Sequence, residues 1–187
     1  MQLKMTEGTK DYIETWKSKV SIYKGDDLGT LFDKYTALFT LFNRLYNESF
    51  KQMNDKNQLS KARYSDFEKA TKLVVEFNSA DAIINQLKEK NNFEDIVIIT
   101  DLIRNDIFHI NLVDGVSQKN IDIELLENLE SDIPLKKAQA ALSTIYNVRC
   151  NMQHGEKHFE EHQRMLLEPL IRILETIVEL QIEKLTE

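Results

Sequence analysis

Apolar residues recur three and four positions apart through most of this chain, the spacing of one buried face of an α-helix. From Thr9 to Tyr23 the stripe is Tyr12, Ile13, Trp16 and Val20. "KGDDLG" then interrupts it, with Gly25 and Gly29 flanking Asp26 and Asp27 as helix caps. Residues 30–53 are the most apolar and aromatic stretch. Leu31, Tyr35, Leu38, Phe42, Leu45 and Tyr46 keep the helical spacing while Phe32 and Phe39 widen it, so this helix is predicted to lie at the centre of the core. Ser65 followed by Glu68 matches a capping box opening the next helix. Another starts after Asn78 or Ser79, with Lys88 and Lys90 on its outer face.

Residues 94–113 carry two patterns. The β-branched run Ile96–Thr100 suits a strand, whereas Ile96, Ile99, Leu102, Ile103 and Ile107 trace a helical stripe. No partner strand shows elsewhere, so the spacing predicts helix. "DGVSQKN" reads as a loop, residues 121–132 as a short acidic helix, and Pro134 as the start of the next. Residues 135–154 form that helix, with Leu135, Ala138, Leu142, Ile145, Val148 and Met152 on one face and Gly155 as its structural cap. A long C-terminal helix over about 159–185 contains Pro169, where a kink is expected. The expectation is an all-α, single-domain bundle of about six to eight helices spanning 1–187, the N-terminal helices (about 9–54) packing as part of its core.

Two prolines and five glycines agree with long helices rather than many tight turns. The N-terminus lacks an apolar signal region, no apolar run approaches the length of a membrane span, and Cys150 has no second cysteine to pair with. These features predict a cytoplasmic protein without membrane association. A net charge of −7 argues against generic coating of nucleic acid. Between Ile133 and Phe159, however, four cationic residues face one acidic residue, a local balance of +3 that leaves −10 for the rest. The motif region is a basic island on an acidic chain.

That island contains "YNVRCNMQHGEKH", residues 146–158. Arg149 offers a guanidinium suited to bidentate contact with phosphate. His154, in the last predicted turn, is favoured as a cation by the helix dipole and titrates in the range that general acid–base chemistry uses. Asn151, Gln153, Lys157 and His158 are the candidate substrate-binding residues around this pair. His154, His158 and His162 invite a metal reading, but the H-E-x-x-H order is absent and Gly155 interrupts the shared helical face, so neither a metal site nor a cofactor is expected. Cys150 reads as a small, semi-buried thiol. In "FNRLYNES", Asn43, Arg44 and Tyr46 have side chains that can contact RNA, although an aromatic core helix with a polar back explains the same pattern.

Arg149 through His154 form an R-x4-H motif, and "VRCNMQHGEK" ahead of the last long helix of a helical chain resembles the HEPN superfamily (higher eukaryotes and prokaryotes nucleotide-binding). The resemblance implies an up-and-down bundle, a homodimer pairing its motif regions, and a metal-independent endoribonuclease with Arg149 and His154 as the catalytic pair. It also implies RNA as partner and, since members serve as toxins, a possible antitoxin protein. The chain departs from the family pattern at Cys150, where a polar residue usually follows the arginine. The alternative is therefore a catalytically silent helical module binding RNA, nucleotide or protein, with a scaffold assembled through acidic helices as a third reading. Five residues of helix separate Arg149 from His154 by about 140° and about 7.5 Å. One helix does not aim both at one phosphate, so a site shared across a two-fold interface is expected, with Asn151 orienting the phosphate or the histidine.

Overall fold

The computed structural model describes residues 5–153 and 160–187. The architecture is an all-α helical bundle, built around the pairing of two long helices. The first is α2 (Leu28–Asp55), which follows α1 (Glu7–Val20) and begins at Asp27, whose carboxylate accepts from the Thr30 amide at 3.0 Å. Tyr35, Phe42, Leu45 and Tyr46 are completely buried along it, as the apolar stripe predicts. Its partner is α9 (Arg164–Thr186), entered through a 3-10 turn at Glu161–Gln163. Pro169 falls inside α9, in its second turn, where the missing N–H removes one backbone hydrogen bond. Ile13 of α1 and Leu185 of α9 belong to one continuous buried cluster.

Between the long helices the chain runs through α3 (Asp66–Glu68), a π-helical segment (Lys69–Leu73), α4 (Val74–Asn78) and α5 (Ala80–Glu89). The capping box at α3 is closed in both directions. The Glu68 amide donates to Ser65 Oγ at 3.2 Å, and the Ser65 amide to Glu68 Oε2 at 3.0 Å. Hydrogen bonds from the Lys61 ammonium and the Ser65 amide hold the Glu68 carboxyl down to about 2. This contribution is complete above the ordinary carboxylate pKa and disappears as pH falls towards 2. Ser65→Ala is expected to cost about 1 kcal/mol in urea unfolding at neutral pH. An unchanged midpoint would show that the box adds nothing.

The expected helix over 94–113 is corrected at its C-terminal half. α6 (Asn92–Arg104) stops because Asp106 adopts a left-handed φ of 57° and the Ile107 amide turns back to the Leu102 carbonyl at 3.0 Å. Ile107, placed on the buried stripe by spacing, is 48% exposed, while Phe108 and Ile110 are buried instead. The predicted loop 114–120 is also corrected. Asp114 and Gly115 both take positive φ (51° and 75°), which closes a two-residue turn between β1 (Leu112–Val113) and β2 (Val116–Ser117). α7 (Lys119–Glu130) and α8 (Pro134–Gln153) complete the bundle before α9.

Candidate functional site around Arg149

α8 presents different residues to different neighbours, and its helical period sorts the motif among them. Arg149, Met152 and Gln153 are three and four apart and share one face. That face, Tyr12 of α1 and Tyr35, Thr36, Phe39, Thr40 and Asn43 of α2 line a pocket of about 220 Å³. This is smaller than the roughly 300–1,000 Å³ of sites that enclose small organic ligands. It suits a phosphate group or a single ring better than a whole nucleotide.

Arg149 dominates the pocket's electrostatics. Its Cζ lies 5.1 Å from the centroid of Phe39, so the ring face supports the guanidinium. Its Nε is buried without a hydrogen-bond partner. No carboxylate pairs with it among the described residues, although the chain has 31 acidic side chains to 24 basic. The acid Asp66 is occupied by two phenols. Tyr46 donates to Oδ1 at 3.0 Å and Tyr146 to Oδ2 at 3.2 Å, and Asn43 donates to the Tyr46 hydroxyl. Tyr146 also meets Phe39 and Phe67 edge-on, at 6.0 and 5.2 Å between ring centroids.

These phenols remain protonated near neutral pH. Burial, then the Asp66 carboxylate, pushes Tyr146 up to about 12, and the same causes raise Tyr46 further. Burial raises Tyr35 well above its ordinary value, and its hydroxyl donates to the Ile145 carbonyl at 2.6 Å. The guanidinium of Arg149 opposes the rise in all three without reversing it. The described part of the pocket can therefore hold an anion, and burial keeps its tyrosines, Tyr12 and Tyr35, in the neutral form near neutrality.

The remaining sequence candidates divide. Gln153 is exposed and lines the pocket with Arg149. Asn151 does not: it is buried on another face, donating to the Ile110 carbonyl at 2.9 Å. Two residues of helix rotate the Asn151 side chain, expected to bind substrate, by about 200° from Arg149, and its amide tethers α8 to the segment at Ile110. Asn147, one turn earlier on the same face, donates to Asn111 Oδ1 at 2.8 Å. His154, Gly155, Lys157 and His158 lie outside the described residues. His162 packs against Phe108 and is 3.1 Å from Glu160. Cys150 is partly buried. From "FNRLYNES", Asn43 reaches the pocket and Tyr46 is fully buried. Arg44 instead donates to Thr9 Oγ1 at 3.0 Å and lies 3.8 Å from Glu48, pinning α1 to α2. Tyr12, Thr36, Phe39 and Thr40 line the pocket as well and lie outside the sequence candidates. The sequence signal for them is the pair Thr36 and Thr40, four apart on one face of α2.

No protein-family model matches this chain, and no curated protein or solved structure is found similar to it. Among the described residues, no helix is long and apolar enough to cross a membrane.

Proposed function

We propose that the protein is a HEPN-like, metal-independent endoribonuclease that binds a backbone phosphate of RNA at Arg149. The observation that carries this reading is the guanidinium itself, supported by Phe39 and unpaired with any described carboxylate in the lining of a small pocket. The R-x4-H resemblance supplies the second half of the machinery, His154. In the proposed reaction the RNA 2′-hydroxyl attacks the adjacent phosphorus. The bond to O2′ forms and the bond to O5′ breaks, leaving a 2′,3′-cyclic phosphate and a 5′-hydroxyl. Arg149 stabilises the charge gathering on the non-bridging oxygens. His154 takes the proton from the nucleophile or gives one to the leaving oxygen. Gln153 and Asn43 offer amides to the strand, and two protomers contribute to one groove.

Total RNA incubated with the purified protein in excess chelator tests the reading. Fragments with cyclic phosphate ends are expected, and DNA of the same sequence, lacking the nucleophile, is expected to survive. RNA that is bound but left intact would assign the same pocket to a silent binding module. Cleavage that requires added divalent metal would reject the mechanism.

A further inference from the structure

The charge of this protein is concentrated. Residues 92–132 contain ten acidic side chains against two basic ones, a net of −8 within a chain whose total is −7. This stretch is α6, the hairpin and α7. Some of its carboxylates are already engaged: Asp95 with Arg172, Asp106 with Lys119, Asp101 and Glu130 with Arg104. Glu94, Asp114, Glu124, Glu127 and Asp132 are exposed and form no ion pair among the described residues.

The same elements expose aliphatic side chains. Val97 and Ile98 on α6, Val113 and Val116 on the hairpin, and Ile121 and Ile123 on α7 are each 41–63% exposed. On α6, Glu94, Val97, Ile98 and Asp101 follow the spacing of one helical stripe, two aliphatics between two carboxylates. On α7, Ile123 is followed one turn later by Glu127 and then by Glu130. Val113 and Val116 are cross-strand partners, so their side chains stand together on one side of the hairpin. Arg104 joins the two helical stripes by pairing with Asp101 of one and Glu130 of the other. Charged side chains alone keep a surface soluble. Aliphatic groups interleaved with them leave apolar area in water that a partner can cover.

We infer that the surface formed by α6, the hairpin and α7 docks a cationic amphipathic segment of another protein chain. Charge complementarity selects this occupant. A second copy would set this net-acidic face against one of the same sign, and RNA or an anionic bilayer would meet the same repulsion. A helix with lysine or arginine beside leucine or isoleucine answers both features, its cations meeting Glu94, Glu124 and Glu127 while its aliphatics cover Val97 and Ile123. The inference stands apart from the ribonuclease reading, which concerns the basic stretch 133–159.

The full-length protein can be titrated into a dye-labelled synthetic amphipathic helix of leucine and lysine, read by fluorescence anisotropy at low and raised salt. Saturable binding is expected. V97S/I123S should weaken it about tenfold. E124K/E127K should weaken it at least as much and flatten its salt dependence. E7K/E14K on α1, an equal change of charge, should shift it less than about threefold. The inference is overturned if the α1 control weakens binding as much as E124K/E127K, or if no saturable binding occurs. It is equally overturned if a leucine–glutamate peptide binds as tightly as the lysine one. A dimer in sedimentation that dissociates in V97S/I123S would assign the face to a second copy and overturn it too.

Discussion

Alanine in place of Arg149 is expected to reduce RNA cleavage by at least about a hundredfold, the usual scale for removing a charge that stabilises a transition state. Stability should change little. The contact with Phe39 is worth about 0.5–1 kcal/mol at a partly exposed position, and truncation also removes a buried Nε that has no partner. Arg149→Lys keeps the charge but loses the planar fork, so RNA binding should recover more than cleavage. The shared-interface arrangement adds a sharper expectation. A mixed dimer of Arg149→Ala and His154→Ala has one site with both defects and one intact, so activity should return to about half of wild type per dimer. Mixed dimers as inactive as either parent would rule out simple pairing of Arg149 with His154 across subunits. Full cleavage by Arg149→Ala would move the activity away from this pocket altogether.

The fold was legible where local pattern and tertiary burial agree. The stripe from Leu31 to Tyr46 placed α2 at the centre, and its aromatic residues are fully buried. Ser65 and Glu68 announced their capping box because both halves of it lie within four residues. The end of α6 was hidden because the apolar spacing continues past it to Ile107. What stops the helix is one left-handed residue, Asp106, an option open to aspartate without compelling it. Asp114-Gly115 is a strong hairpin signal, but the flanking strands are two residues long and leave almost no period to read.

The site was legible in its chemistry more than in its surroundings. Arg149 drew notice by residue type and motif. That Asn151 turns away from it follows from helical rotation and was available in advance. What each face of α8 meets was not. Phe39 and Arg149 are 110 positions apart in the chain, and so are Tyr35 and Ile145. Neither pairing leaves a mark in local sequence. Asp66 was legible only as the opening residue of a helix, yet its carboxylate accepts from both Tyr46 and Tyr146.

Asp122 is expected to be the most sensitive polar position for folding. It is buried on α7, and its Oδ1 accepts from the Ile110 amide at 3.3 Å, the Asn111 amide at 2.9 Å and Asn111 Nδ2 at 2.8 Å. The segment it holds is the one that Asn147 and Asn151 grip from α8, so one carboxylate fixes the junction between α7 and the motif helix. Asp122→Ala leaves two backbone N–H groups without an acceptor. At about 1–3 kcal/mol for each stranded group, less the relief of burying no carboxylate, the expected net loss is about 3 kcal/mol in urea unfolding. Asp122→Asn keeps an acceptor and should lose about 1 kcal/mol. Asn151→Ala frees only the Ile110 carbonyl and should fall between the two, with any loss of cleavage following the loss of folded protein. Wild-type stability in Asp122→Ala would refute the junction. Asn151→Ala that unfolds like wild type while cleavage collapses would return Asn151 to the substrate and overturn its assignment as a tether.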